Sequence, residues 1–227
     1  MLSLLLVAGG GSVGIDQLIE DVWADKRPAS ARGTIHSYLS HLRGAVGDLI
    51  VRDGGAYRIE VDPENFDVAR FEDRLFRARA ILETEPRHGA DMIREGLSLW
   101  RGDPYFGLAD SRPIHDEVVR LQEVRLGAIE DCIDAELEIG EHAALVSSLE
   151  ALVASHPFRE RLIGQLMIAL FRSGRQVEAL SVYRRTAARF AEEYGLPPSA
   201  ELRSLEAMVI AQSQDLQPHR RGRLSEE

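Results

Sequence analysis

The fold of the N-terminal third is decided by residues 30–46, which read SARGTIHSYLSHLRGAV. The apolar residues of this stretch recur at helical spacing and form one stripe: Ile35, Tyr38, Leu39, Leu42 and Val46. Ser30 precedes the stripe as a suitable N-cap, so the pattern predicts an amphipathic helix. The opposite face is polar and carries Arg32, His36, Ser37, Ser40, His41 and Arg43.

The sequence on either side of this helix predicts two more short helices and a hairpin. Residues 2–8 and 15–23 are apolar at helical spacing, and the glycines at 9–11 end the first of these segments. After Gly47, two β-like runs at 49–52 and 57–61 flank Asp53-Gly54-Gly55, a sequence typical of a tight hairpin turn.

Beyond residue 66 the strand signals stop and amphipathic helices follow one another. The predicted helices span 67–84, 86–100, 112–139, 142–155, 158–173, 175–194 and 199–214. Ala135 and Gly140 recur as Ala169 and Gly174, and this shift of 34 residues is the length of a tetratricopeptide helix pair. The sequence therefore predicts a region of short helices and a hairpin over 1–66, helical repeats over 67–214 and a disordered tail over 215–227.

Composition excludes several classes of protein. The 227 residues contain one cysteine, which cannot form an internal disulfide, so a reducing cytoplasm is the expected location. The longest apolar run is too short for a membrane span, and we expect no membrane association. Neither a metal site nor a cofactor is predicted.

We expect no enzymatic activity, because no nucleophile, base and orienting group occur at a workable spacing. The helix over 112–139 is rich in carboxylates, and we expect these to face solvent: Glu130, Asp131, Asp134, Glu136 and Glu138. Trp100, Tyr105 and Phe106 cluster around a turn, where an aromatic cage is one interpretation and ordinary packing between helices is the preferred one.

Charge is distributed unevenly. The net charge is −10, yet residues 26–43 contain Lys26, Arg27, Arg32, Arg43 and two histidines without any carboxylate. A helix with such a face fits the major groove of DNA, and Arg52 and Arg58 on the hairpin could reach a phosphate. A solvated surface helix could have the same composition, so this pattern alone leaves both interpretations open.

Several segments resemble a known family of regulators. Four segments resemble the winged-helix DNA-binding domain of the Streptomyces antibiotic regulatory protein family. They are DQLIEDVW (16–23), PASAR (28–32), SHLR (40–43) and GAYR (55–58). Those resembling the bacterial transcriptional activator domain that follows it include LWRG (99–102), ELEIG (136–140), ALFRSG (169–174) and GLPP (195–198). The matches follow the family's order over nearly the whole chain.

The resemblance implies a cytoplasmic transcriptional activator that binds double-stranded promoter DNA and recruits RNA polymerase. The fold it implies is mostly α, with a winged helix and its β-hairpin wing followed by a tetratricopeptide-like domain. Because the family has a small sheet before the first helix and this chain starts within that helix, the winged helix is expected to be incomplete. The helical repeats would serve a homodimer, a polymerase contact or regulation.

Carried over by position, the DNA-binding candidates on the third helix and the wing are Arg32, Thr34, His36, Ser37, Ser40, His41, Arg43, Arg52, Tyr57 and Arg58. The alternative hypothesis is a helical-repeat interaction module that has lost DNA binding.

Overall fold

The computed structural model describes residues 1–108 and 111–217 and is mostly α-helical with one small sheet. Contacts divide the chain into a first unit, residues 1–74 and 95–126, and a second unit, residues 75–94 and the chain from 127 onward. This division differs from the border that the sequence predicts at 66/67. One reason is that Ile114, far along the chain, is buried in the core of the N-terminal helices.

The described elements begin with α1 (Leu2–Val7), β1 (Val13–Gly14), α2 (Ile15–Trp23), α3 (Ala31–Val46), β2 (Ile50–Asp53) and β3 (Ala56–Ile59). They continue with α4 (Asp67–Ile81), α5 (Pro86–Leu97), α6 (Arg112–Glu138), α7 (His142–Ser155), α8 (Glu160–Arg172), α9 (Gln176–Tyr194) and α10 (Ala200–Ile210). Each predicted helix is present, and the ends differ by at most four residues from the predictions.

The winged region has a single core, formed by the apolar faces of α1, α2, α3 and the sheet. Its fully buried side chains include Leu5, Leu18, Ile35 and Leu39. Removing most of such a side chain costs about 2–5 kcal/mol, so these residues fix how α3 lies against the other elements.

The hairpin is confirmed, with strands slightly displaced from the predicted runs. β2 and β3 are antiparallel, Asp53 pairs with Ala56, and Gly54-Gly55 forms the two-residue turn between them. The sequence missed β1, which pairs with β3 to give the strand order β1-β3-β2. A strand of two residues is too short to show an alternating pattern.

Helices α7 to α10 of the second unit pack as the predicted repeats require. α8 contacts α7, α9 and α10, and it buries Leu162, Ile163, Leu166, Met167 and Leu170. Gly140 after α6 and Gly174 after α8 both have positive φ, at 89° and 76°. These residues are the repeated glycines, and both occupy the left-handed conformation that often ends a helix.

The carboxylates of α6 do not all face solvent, and that expectation is wrong. Glu130 is only 2% exposed and accepts hydrogen bonds from two nitrogens of Arg159, at 2.8 and 3.1 Å. Asp131 accepts from Arg79 and Arg161, each at 2.7 Å. Hydropathy could not reveal this, because a polar helix face covered by arginines has the same sequence pattern as one covered by water.

The predicted tail begins later than expected. Gln214–Leu216 forms a 3-10 turn, Leu216 is buried, and Arg172 Nε donates to the Leu216 carbonyl at 2.6 Å. The prediction of disorder is therefore wrong for residues 215–217, where an arginine binds the backbone. The rest of the predicted tail, 218–227, lies outside the described residues.

Candidate nucleic-acid interface

Helix α3 is held by its apolar stripe and exposes its polar face. Ala31, Ile35 and Leu39 are buried, whereas the opposite side exposes what we call the α3 surface: Gly33, His36, Ser37, Ser40, His41 and Gly44. No carboxylate belongs to α3, and Lys26 and Arg27 are exposed just before it. The carboxylate-free segment predicted from the sequence therefore lies at the surface.

The first turn of α3 lacks the side-chain cap that the sequence predicts at Ser30. Ser30 occupies the N-cap position but makes no side-chain cap bond. Its carbonyl instead accepts from Thr34 N at 3.0 Å and from Thr34 Oγ1 at 3.2 Å. Thr34 is half-buried and its hydroxyl donates to the carbonyl four residues earlier, so its proton is engaged within the helix.

Arg32 is exposed but paired. Its Nη2 lies 2.5 Å from Asp16 Oδ1, and the two side chains are 61% and 81% exposed. Asp16 lies in the first turn of α2, where a carboxylate is also favoured by the helix dipole. Exposed pairs of this kind contribute about 0–1 kcal/mol, so a phosphate can displace Asp16 at small cost.

Arg43 connects the end of α3 to the hairpin. Its Nε donates to the Ile50 carbonyl at 3.1 Å, and its guanidinium carbon lies 5.4 Å from the centroid of the Tyr57 ring. The side chain remains exposed beyond these contacts. Arg43 therefore positions the hairpin against α3 while still presenting a cation at the surface.

Tyr57 was predicted to contact DNA, and the structure corrects that prediction. Its side chain is 4% exposed, because it belongs to the core face of β3. The His36 ring meets Tyr57 edge-on, with centroids 6.4 Å apart. Tyr57 supports His36 and Arg43 from below and offers almost no surface to a ligand.

The two predicted arginines of the wing, Arg52 and Arg58, differ in their partners. Arg52 is exposed and its Nε donates to the Gly54 carbonyl at 3.1 Å, within the turn. Arg58 hydrogen-bonds Glu60, which raises the pKa of the guanidinium, and lies 3.6 Å from Asp53. Arg58 is thus largely balanced by neighbouring acids, whereas Arg52 is the better placed of the two to meet a phosphate.

Sequence reasoning missed the residues that hold the candidate side chains in place. Asp16, Glu60 and the Ile50 carbonyl each bind a predicted arginine. Trp23 also stacks on Tyr38, with centroids 6.4 Å apart. An acid at the start of a helix is a recognisable signal, but which arginine it binds depends on how α2 and α3 pack.

Within residues 1–108 and 111–217, no group of three or more His, Cys, Asp or Glu side chains is arranged to hold a metal ion. The described helices also include none with the length and hydropathy needed to cross a membrane.

Comparison with known proteins gives a consistent set of relatives. Residues 66–210 match the family model of the bacterial transcriptional activator domain. The regulatory protein DnrI of Streptomyces peucetius is 36% identical over 222 residues, covering 92% of this chain and 81% of DnrI. The regulatory protein AfsR of Streptomyces griseus is 37% identical over 219 residues, covering 95% of this chain and 22% of AfsR.

A solved structure is also similar. Mycobacterium tuberculosis EmbR, in complex with a low affinity phosphopeptide, superposes with a TM-score of 0.88 at 30% sequence identity. The match covers 93% of this chain and 58% of that one, so this chain spans less than two thirds of EmbR and of AfsR. The likeness confirms the mostly α fold class, with a winged helix followed by tetratricopeptide-like helices.

Proposed function

The chain belongs to the Streptomyces antibiotic regulatory protein family, and from this premise we propose that it is a transcriptional activator that binds promoter DNA. In this proposal α3 enters the major groove and the β2–β3 hairpin is the wing. A bacterial protein with this function works in the cytoplasm, where the promoters are.

One observation carries the proposal: the α3 surface is exposed, lacks carboxylates and lies beside a hairpin that Arg43 fastens to the same helix. A single α-helix fits the width of the major groove, and a carboxylate on its outer face would repel phosphates. In a chain of net charge −10, this helix face is a local region where repulsion of phosphate is reduced.

The contacts divide by side-chain chemistry. His36, Ser37, Ser40 and His41 are exposed on the middle of α3 and are the proposed readers of base edges. Lys26, Arg27 and Arg52 are exposed around them and are the proposed phosphate ligands, joined by Arg43 and by Arg32 once it leaves Asp16. Thr34 and Tyr57 act within the protein.

We place the partner-binding role on the helical repeats. Val177 is 77% exposed and Ile210 is 60% exposed. They lie on α9 and α10, whose ends are joined by a hydrogen bond from Gln176 Nε2 to the Val209 carbonyl at 2.7 Å. Exposed apolar side chains on two packed helices support contact with RNA polymerase or with a second copy in a homodimer.

The test is the salt dependence of DNA binding. We expect the full chain to bind a fluorescent duplex of randomised sequence. The logarithm of the binding constant should fall linearly with the logarithm of the salt concentration, with a slope of about −0.9 per phosphate contact. Arg27→Ala should make that slope shallower by about one contact. Arg184→Ala, which removes an exposed arginine from α9, should leave the slope unchanged. A folded chain that does not bind at low salt would refute the proposal.

A second candidate is the helical-repeat interaction module without DNA binding. The observation that favours it is that Arg32 and Arg58 are both paired with the chain's own carboxylates. In that case Arg27→Ala and Arg184→Ala would behave alike in the same assay.

A further inference from the structure

The first unit contains an aromatic cavity of about 660 Å³ that the proposed function does not use. Its volume lies in the range typical of small-molecule sites, roughly 300–1,000 Å³. Five aromatic residues line it: Phe66, Phe71, Trp100, Tyr105 and Phe106. Because the chain has only 2 Trp, 5 Tyr and 7 Phe, more than a third of its aromatic residues line this one cavity.

The inner wall is fixed before any ligand arrives. Phe71 is 2% exposed and meets Trp100 edge-on, with centroids 5.5 Å apart and planes at 89°. The Arg125 guanidinium lies 4.9 Å from the centroid of the Trp100 ring. Rings held in this way need little reordering on binding, which favours affinity.

The outer wall is the loop that carries Tyr105 and Phe106. Tyr105 has φ of 51°, which is strained for a bulky residue, and strained residues cluster at functional sites. Phe106 beside it is 87% exposed, so the packing between helices preferred from the sequence is wrong for this ring. A large exposed ring at the mouth of an aromatic cavity is what a flat ligand would cover.

The polar groups indicate the charge of the ligand. Asp67 and Asp103 line the cavity together with one arginine, Arg101, whose Nη2 lies 3.7 Å from Asp67. Burial and the nearby Glu117 raise the pKa of Tyr105 to about 12, so its hydroxyl is protonated and can donate a hydrogen bond. Together with Arg125 at the Trp100 ring, the two arginines balance the two acids, so a neutral ligand is favoured, because a charged one would be desolvated without a free partner.

We propose that this cavity is a binding site for a small, planar, neutral aromatic molecule that stacks against Trp100 and Phe106 and accepts a hydrogen bond from Tyr105. Leu6 of α1 also lines the cavity, and both Leu6 and Tyr105 pack against the core that supports α3. A ligand in this cavity would therefore contact residues that also pack against the core of the winged region.

The test uses Trp100 fluorescence and does not depend on DNA binding. The chain has two tryptophans, so Trp23→Phe leaves Trp100 as the sole emitter. We expect neutral 1-aminoanthracene to quench Trp100 saturably in this variant. Phe106→Ala, added to it, should weaken binding roughly three- to tenfold, the usual contribution of one aromatic contact.

The matched control is Phe76→Ala in the same background, because Phe76 is 76% exposed but outside the cavity, and it should leave binding unchanged. Phe106→Ala should fold normally, since its ring is already in solvent. For ligand charge, 2-naphthamide should displace the probe at a lower concentration than 2-naphthoate, which has nearly the same shape but is anionic.

Absence of saturable quenching in the folded Trp23→Phe variant would overturn the proposal. So would equal affinities of the Phe106→Ala and Phe76→Ala variants, which would locate the probe elsewhere. Tighter binding of 2-naphthoate than of 2-naphthamide would overturn the assigned ligand class.

Discussion

Asp16 and Arg32 form an ion pair, with 2.5 Å between Oδ1 and Nη2, that links the first turn of α2 to the exposed side of α3. The arginine that the sequence assigns to DNA thus has a carboxylate partner in the free protein. Because the pair is well exposed, Asp16 competes only weakly with phosphate for Arg32. The pair therefore lowers the affinity for DNA without abolishing binding.

Asp16→Asn should therefore strengthen DNA binding about two- to fivefold, because Arg32 no longer leaves a carboxylate to reach phosphate. The control is Asp116→Asn, since Asp116 is a similarly exposed partner of Arg112 on α6 and its loss changes the net charge equally. Affinities measured at one fixed salt concentration should differ between the two variants. Equal gains would mean that only net charge matters.

Arg43→Ala should lower the free energy of unfolding by about 1–2 kcal/mol, because it removes the hydrogen bond to the Ile50 carbonyl and the contact with the Tyr57 ring. Urea denaturation measures this difference. Arg184→Ala is the comparison, and its unfolding midpoint should match that of the wild type. An unchanged Arg43→Ala midpoint would show that this arginine does not fasten the hairpin.

Glu130→Ala should be more destabilising, by about 2–3 kcal/mol, because buried Glu130 accepts two hydrogen bonds from Arg159 and lies 3.6 Å from Arg161. Glu193→Ala breaks a largely exposed pair with Arg189 and should cost less than about 1 kcal/mol. The two variants can be compared by urea denaturation at neutral pH. Similar losses would contradict the structural role of the α6 and α8 charge network.

Acid should weaken the helical repeats through His142. Its Nδ1 is buried without a hydrogen-bond partner, and burial, followed by the charge of Arg172, lowers the pKa of this imidazole below its usual 6.5. The unfolded chain therefore binds the proton more readily, so the stability contributed by neutral His142 is present above pH ~6.5 and is lost as pH falls below it.

His142→Asn should accordingly reduce the loss of unfolding free energy between pH ~7 and ~5, relative to the wild type. His88→Asn, at an exposed position on α5, should keep the pH profile of the wild type. Identical profiles for all three proteins would refute the role assigned to His142.

The sequence predicts those parts of the fold that depend on local pattern. The stripe from Ile35 to Val46 predicts α3, and the Gly54-Gly55 turn predicts the hairpin. The 34-residue repeat likewise predicts that two helices end near Gly140 and Gly174, where α6 and α8 do end. In each case neighbouring residues are sufficient, because helix periodicity and turn geometry are local properties.

The candidate site was only partly predictable, because its details depend on contacts between distant residues. Asp16 and Arg32 are 16 positions apart, and no periodicity shows that they meet. Tyr57 has the residue type of a wing contact, but it shares the core-facing side of β3 with Ile59, and only the packing of the sheet decides which side that is. Exposure of the α3 surface was predictable, and the partners of its arginines were not.

The most direct measurement of the central claim is DNA affinity after a carboxylate is placed on the α3 surface. Ser40→Glu introduces this charge at an exposed position of α3, and Ser147→Glu introduces the same charge at an exposed position of α7. We predict that Ser40→Glu weakens binding to the duplex by tenfold or more, which is about 1.4 kcal/mol or more, while Ser147→Glu has little effect. Equal affinities of the two folded variants would contradict the assignment of α3 as the DNA-binding helix.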